Sequence, residues 1–274
     1  MALTPRDLWR IPKNCYVLTV NTFIASNGFD SLRLKIGWAS KRLHEFDAMY
    51  VDHCRHNGYT ISQRDDSVEG RHVRALEMNP VPIDISLMLS DAFYAIRSGL
   101  DHLAWQLALN NNPNPSRDVC FPIFGELKPD TPKKFKKTTD DMPPDAAKII
   151  EELQPYKRGV TYRDDPLWQL GELCNMDKHK IPIGRAVATE LYLEPNGWTR
   201  TDLDNAVEIS WPIAVKDRIV FRPSIPELVF GNSLNSTNSQ QIELRRDAIA
   251  RIYAYVRGTL APKFTIFFGA DPYP

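Results

Sequence analysis

The chain has 274 residues and a mass of 31.4 kDa, which is enough for one large domain or two small ones. Hydrophobic residues make up 43% and charged residues 25%, a composition that argues against a disordered, collagen-like or coiled-coil chain. Lys and Arg together number 34, as do Asp and Glu, so the formal net charge is zero. Nucleic acid would therefore have to bind through a local patch.

The sequence predicts a cytoplasmic protein without a membrane span. Its first residues lack the apolar run of a signal peptide, and no stretch of 18 clean apolar residues is present. Cys15, Cys54, Cys120 and Cys174 are far apart and form no CxxC pair, so we expect reduced thiols instead of a zinc ribbon or a redox motif.

Two long helices are predicted in the first half of the chain. Apolar residues recur every three or four positions over 26–58 and again over 84–110, which is typical of amphipathic helices. Two short strands at 59–78 are predicted between them. A connector rich in Pro and Lys occupies 113–145. Shorter helices are predicted after it, at 143–153 and 166–180.

The pattern changes after residue 181. Segments 183–194, 206–213 and 218–221 are strand-like, 228–230 adds an edge strand, and a last helix is predicted at about 240–260. The sequence therefore predicts an α+β fold: a helical bundle-like part with an inserted hairpin, then a mainly antiparallel sheet and a C-terminal helix. We expect a helical part over 1–180 and a sheet part over 181–274. If the hairpin pairs with the later strands, the two parts form one continuous domain.

The helix at 84–110 has an unusual polar face. One side of its helical wheel is apolar, and the opposite side has no Lys or Glu. That opposite side combines acidic, aromatic, Arg and His side chains, which is typical of a lined groove or an interface. Its residues include Asp91, Tyr94, Arg97, Ser98, Asp101, His102 and Trp105. Arg97 and Asp101 are four residues apart and can pair directly.

Within this face, the run Arg97-Ser-Gly-Leu-Asp-His102 resembles the R-x4-H signature of HEPN-like domains. The resemblance covers about residues 26–110. It implies a helical bundle that is often dimeric and that in many members is a metal-independent ribonuclease. The chain is also similar to a group of uncharacterised bacterial proteins with no known activity. The shared segments are Arg97-Ser-Gly-Leu-Asp-His-Leu103, Phe121-Pro-Ile-Phe124, Leu153-Gln-Pro-Tyr156 and Asn175-Met-Asp-Lys-His179.

The HEPN resemblance implies RNA as a substrate, a composite site at a homodimer interface, and no cofactor or metal. RNA carries its own nucleophile, the 2′-hydroxyl, and His102 would accept or donate the proton. Arg97 would neutralise charge on the transition state, and Asp101 would orient Arg97 or His102. These three residues are the predicted catalytic set. A toxin or defence role with an antitoxin-like protein partner would fit such an enzyme.

Two other functions stay open on the same residues. Arg97 and Asp101 can form a structural ion pair beside an ordinary interface histidine, which would make the face a non-catalytic binding or oligomerisation module. The third hypothesis is a metal-assisted hydrolase that uses Glu172, His179 and Asp101.

The helix at 166–180 carries a second polar stripe of Glu172, Asn175 and His179. This stripe can line the same groove, hold a metal ion, or bond to the sheet. The metal alternative lacks the second Glu-x-x-His copy of a bundle di-metal site. The residues predicted to line the site are Asp91, Tyr94, Ser98, Trp105, Glu172, Asn175 and His179.

Lys133-Lys-Phe-Lys-Lys137 is the only dense basic run in the sequence. Such a run can contact a phosphate backbone. However, Asp140 and Asp141 follow closely, which favours a solvated loop. The phosphate-loop, dinucleotide and nucleophile-elbow motifs are all missing from the sequence.

Overall fold

A computed structural model describes the backbone of residues 28–66, 71–179, 183–193, 197–203, 207–212, 221–223, 227–231 and 244–269. It describes side chains at 29–60, 79–175 and 247–269. The α-helices within these ranges are α1 (Gly28–His56), α2 (Ile83–Asn111), α3 (Thr131–Thr139), α4 (Pro144–Glu152), α5 (Pro166–His179) and α6 (Arg246–Tyr255). A 3-10 helix spans Pro155–Asp164, and a π-helix, Val256–Leu260, is followed by a second 3-10 helix, Ala261–Phe267.

The fold is mainly helical, and the expected α+β class is wrong. Of the residues whose side chains are described, 76% are helical and 1% are in strands, with one short strand and no sheet. The physical reason lies in the core. The described buried hydrophobic side chains belong to helices and the segments that connect them. A fold class is set by the elements that bury apolar faces against one another.

The strands lie in parts of the chain for which only the backbone is described. The one exception is the first two residues of β1, whose side chains are described as well. They are β1 (Tyr59–Asp66), β2 (Arg71–Met78), β3 (Ile183–Leu193), β4 (Gly197–Leu203), β5 (Val207–Pro212), β6 (Phe221–Pro223), β7 (Glu227–Gly231) and β8 (Leu244–Arg245). β2 pairs antiparallel with both β1 and β5. β3 pairs antiparallel with β4, β6 and β7, and β7 also pairs antiparallel with β8. Residues 218–220 of one predicted strand, and 240–243 of the predicted last helix, lie outside the described residues.

The chain divides into two compact units. One comprises 1–43, 89–181 and 247–274, and the other comprises 44–88 and 182–246, so the boundaries fall within α1 and α2. The first unit buries residues such as Phe29, Ile96 and Phe264. In the second unit, Phe46 and Tyr50 stack with ring centroids 6.1 Å apart. The predicted division near residue 180 stays a prediction.

The two long helices are confirmed. α1 ends at His56, directly before Asn57-Gly58, as the sequence predicts. Gly58 fits there because an added Cβ would lie 2.7 Å from the carbonyl oxygen of Cys54. α2 covers the predicted range to within one residue at each end.

Two segments differ from the sequence prediction. α3 forms inside the expected connector, where Pro132 presets its first turn. The predicted C-terminal helix gives way after Tyr255 to the π-helix and then to the second 3-10 helix. Within the described part of the chain, no helix has the length and apolar character needed to cross a membrane. Cys54, Cys120 and Cys174 are not in disulfides, and Cys15 lies outside the described residues.

Candidate functional site

The Arg97–Asp101 pair of α2 holds the peptide groups of Phe121. Arg97 Nη2 lies 3.0 Å from Asp101 Oδ1 and donates to the carbonyl oxygen of Phe121 at 2.8 Å. The same Asp101 oxygen accepts from the Phe121 N–H at 3.0 Å. The ion pair predicted from the sequence therefore forms, and both of its partners also bond to a backbone segment that the motif does not contain.

Gln154 holds the other end of that segment. Its side chain is completely buried. Its amide nitrogen donates to the carbonyl oxygens of Pro122 at 2.8 Å and Ile150 at 3.1 Å, and its oxygen accepts from the Phe124 N–H at 3.0 Å. Residues 121–124 belong to no helix or strand, so their backbone groups need partners elsewhere. The Phe124 carbonyl oxygen accepts from the Tyr156 N–H at 3.1 Å, and the side chains of Arg97, Asp101 and Gln154 bond to Phe121, Pro122 and the Phe124 N–H.

The segment 121–125 lies between α2 and α5. An added Cβ on Gly171 of α5 would lie 3.5 Å from Ile123, and one on Gly125 would lie 2.6 Å from the ring of Trp168. Three of the four segments singled out in the sequence, at 97–103, 121–124 and 153–156, therefore meet here. The fourth, at 175–179, continues along α5, and its side chains beyond Asn175 lie outside the described residues.

His102 faces away from the Arg97–Asp101 pair. Its exposed imidazole is bonded through Nδ1 to Ser31 Oγ of α1 at 2.5 Å. The two helices approach closely at this point, because an added Cβ on Gly99 would lie 3.0 Å from the Cβ of Lys35. α1 therefore positions His102, whereas the segment 121–124 positions Arg97 and Asp101.

A surface that we call the α2 face lies on α2 between its contacts with α1 and its contacts with the segment 121–124. It consists of Asp91, Tyr94, Ser98, His102 and Trp105, which share one side of the helix. Tyr94 is 58% exposed and Trp105 is 37% exposed. Ser98 is half-buried and Asp91 is exposed. The predicted polar face thus exists as an open surface with aromatic side chains.

The adjoining side of α1 extends this surface. Ser31 lies beside His102 and Lys35 beside Gly99, so the two helices run antiparallel and Trp38 lies level with about residue 95. Trp38 is 45% exposed, and the Arg42 guanidinium lies 4.5 Å from its ring centroid. A large aromatic side chain held in the open by a cation–π contact is typical of a recognition surface.

The α5 stripe does not join Arg97, Asp101 or His102 through any hydrogen bond or ion pair within the described part of the chain. Glu172 instead helps to raise the pKa of Arg163, where the largest cause is the hydrogen bond to Tyr162. Asn175 is exposed, and the side chain of His179 lies outside the described residues. α5 packs on α2 elsewhere, where the Cys174 thiol lies 3.7 Å from the carbonyl oxygen of Phe93.

Two further sequence predictions can be placed in the structure. The described residues hold no group of three or more His, Cys, Asp or Glu side chains arranged to bind a metal ion. The basic run lies on α3, where Lys134 pairs with Asp130 at 2.7 Å and Lys137 with Asp118 at 3.0 Å. Half of its lysines therefore already have carboxylate partners.

Cys120 lies directly beside the Arg97–Asp101 pair. Burial raises the pKa of the Cys120 thiol, the nearby carboxylate of Asp101 raises it further, and Arg97 partly opposes this. Both effects favour the neutral form of the thiol, which is a weaker nucleophile than the thiolate.

The sequence interpretation missed Gln154 and Ser31 as supporting residues. The one available signal for Gln154 was a single amide between Leu153 and Pro155. Ser31 lies between the buried positions Phe29 and Leu32 of α1, and nothing in the sequence pairs it with His102. Both contacts join residues at least 30 positions apart.

Comparisons of this chain with protein-family models, with curated proteins and with solved structures found no match.

Proposed function

We propose that the chain is a non-catalytic binding module that forms a homodimer through the α2 face and the adjoining side of α1. One observation carries this proposal: Arg97 and Asp101 are bonded to each other and to the peptide groups of Phe121. Both contacts use Nη2, and Nη1 is buried without a hydrogen-bond partner among the described residues. Nη1 therefore stays inaccessible to a phosphate while these two charge-assisted contacts hold the side chain in place. The polar pair is therefore better explained as support for the surface beside it.

The exposed residues of this surface suit a protein partner. Tyr94, Trp105 and Trp38 supply large apolar area at low conformational cost, and Tyr and Trp are enriched in the energetic centres of interfaces. Isolated exposed apolar residues are ordinary, but these three belong to one continuous surface on two packed helices.

A second copy of the chain is the partner that the charges favour. Lys35 on α1 and Asp91 on α2 border the surface, and neither takes part in an ion pair within the described residues. A twofold dimer places the same patch of both subunits in contact. Such an arrangement can bring Lys35 of one subunit against Asp91 of the other. Any self-association through this face would need the same pairing of opposite charges between the two subunits.

Sedimentation equilibrium on the full chain and on Trp105→Glu tests the dimer. Loss of a central aromatic anchor costs about 2 kcal/mol or more, so the dissociation constant should rise about 30-fold or more. Leu127→Glu is the matched control, because Leu127 is also an exposed apolar residue, at 65% against 37% for Trp105, but lies outside the surface. A wild-type monomer at about 100 μM, which corresponds to binding weaker than about −5.5 kcal/mol, would contradict the proposal.

The RNA endonuclease of HEPN-like type is the second candidate. It is favoured by the exposed imidazole of His102, which Ser31 holds in place. Labelled RNA incubated in EDTA with the wild type and with His102→Ala tests it. Cleavage by the wild type alone would favour the enzyme. Equal cleavage by both proteins, or none, would leave the binding module as the explanation.

The cytoplasmic location was predicted from the lack of an apolar signal segment and of a membrane span in the sequence, and it stays a proposal. The antitoxin-like partner is a proposal that depends on the enzyme hypothesis.

A further inference from the structure

A cavity of about 470 Å³ lies within the first unit, remote in sequence from the α2 face. Its walls come from the last turn of α4, the 3-10 helix Pro155–Asp164, the C-terminal end of α6 and the two helical segments that follow α6. The lining residues used below are Ile149, Glu152, Leu153, Arg158, Tyr255 and Lys263. A volume of this size is within the range of small-molecule sites.

Irregular backbone shapes two walls of the cavity. Gly159 has φ 62°, and it directly follows Arg158 inside the 3-10 helix. On the opposite wall, Tyr255 precedes the π-helix, in which the Ala261 N–H bonds to the carbonyl oxygen of Val256. π-helical turns are rare in proteins, and those that do occur are frequently found at functional sites.

Arg158 is oriented by a carboxylate behind it. Its Nε donates to Asp165 Oδ2 at 3.1 Å, and the Asp165 side chain is only 1% exposed. The other oxygen of Asp165 accepts from the Leu167 N–H at 2.9 Å, at the start of α5. A guanidinium fixed through Nε keeps its terminal nitrogens for another oxyanion.

The Tyr255 hydroxyl lies near Arg158 in this cavity. The hydroxyl is buried, and the guanidinium of Arg158 interacts with its oxygen. Burial raises the pKa of the Tyr255 hydroxyl and the nearby Asp165 adds to this effect, whereas Arg158 opposes it. The hydroxyl proton stays available as a donor for a bound molecule.

Two opposite charges line the cavity without neutralising each other. Glu152 and Lys263 both contribute to its wall, and neither forms an ion pair in the described part of the chain. The neighbouring cation Lys157 is paired with Glu151 at 3.0 Å. α4 ends at Glu152, and the partial negative charge of a helix C-terminus favours a cation at that end.

We propose that this cavity binds a small zwitterion, an amino acid with an apolar side chain. The ligand's ammonium group binds Glu152 and the C-terminal end of α4. Its carboxylate binds Lys263 and Arg158, and its side chain packs against Ile149 and Leu153. A plain anion would meet the carboxylate of Glu152, and a plain cation would meet Lys263 and Arg158. A ligand that carries both charges satisfies both walls.

Isothermal titration calorimetry of the full chain with three related probes tests the proposal. The probes are L-leucine, isocaproate, which lacks the ammonium group, and isoamylamine, which lacks the carboxylate. We expect leucine to bind and each analogue to bind at least about tenfold more weakly. Isocaproate binding as tightly as leucine would overturn the zwitterion. So would the absence of binding of both L-leucine and L-phenylalanine to folded protein.

Matched variants assign the two charges. Glu152→Gln should weaken leucine binding about tenfold or more and leave isocaproate unchanged, whereas Lys263→Met should weaken both. Lys148→Met is the control, because Lys148 is an exposed lysine of α4 that does not line the cavity. Leucine binding that Glu152→Gln leaves unchanged would overturn the proposed placement.

Discussion

Replacing Arg97 with Met is expected to destabilise the first unit. Arg97 donates to the carbonyl oxygen of Phe121 at 2.8 Å and pairs with Asp101 at 3.0 Å. Met keeps most of the apolar stem of the side chain and removes only the guanidinium. The perturbation therefore isolates the polar contacts of Arg97 with Phe121 and Asp101.

The size of the effect follows from the burial of these contacts. A hydrogen bond from a charged donor contributes about 1.5–3 kcal/mol. The ion pair adds no more than about 0.5 kcal/mol, because the side chains of Arg97 and Asp101 are 20% and 38% exposed. The expected loss is about 2–3 kcal/mol in the free energy of unfolding.

Urea unfolding of the wild type, Arg97→Met and Arg251→Met measures this difference. Arg251 is a close control, because it also pairs with an aspartate four residues away, Asp247, at 2.7 Å. Both side chains of that pair are more than half exposed, so its loss should cost no more than about 0.5 kcal/mol. Equal stability of the two variants, together with loss of RNA cleavage in Arg97→Met alone, would refute the structural role.

Three other predictions follow from the described contacts. Gln154→Leu should lose about 3–5 kcal/mol of unfolding free energy in urea, because two buried hydrogen bonds and one partly buried one are removed and the Phe124 N–H loses its acceptor. Gly125→Ala should cost about 1–3 kcal/mol and change tryptophan fluorescence, since its Cβ would lie 2.6 Å from Trp168. Gly258→Ala is the control: an added Cβ at Gly258 has no atom within 4 Å, so this variant should show neither the loss of stability nor the fluorescence change. Burial lowers the pKa of His53, so the unfolded state binds more protons and stability should fall as the pH drops below about 6.5. Urea midpoints at about pH 7.5 and 5 should then differ less in His53→Phe than in the wild type.

The positions of the two long helices were readable from the sequence because each has a clear apolar stripe and a clear end. In α1 and α2 the stripe repeats over 29 residues, which outweighs local ambiguity. α3 was hidden because its nine residues include four lysines and no apolar stripe. The 3-10 and π segments were hidden as well, because no simple residue pattern distinguishes them from loops or from the end of an α-helix.

The fold class was wrong because strand-like alternation was given the same weight as buried helical faces. Alternation indicates that a segment suits a strand. It does not show whether that segment supplies core, and the described core is helical. Likewise, the polar face of α2 was readable, but its supports were not. Ser31 is 71 positions from His102, and Gln154 is 30 positions from Phe124.

The R-x4-H spacing is compatible with two roles of Arg97, a catalytic one and a structural one. Any Arg with an Asp four positions later on a helix can form the same pair, so the spacing alone does not distinguish the two roles. The contacts of Phe121 favour the structural role, because its N–H and carbonyl oxygen bond to Asp101 and Arg97 respectively. His102 points to α1 instead. The two fixed residues of the motif therefore serve different neighbours, and their separate substitution should have separable effects on stability and on binding.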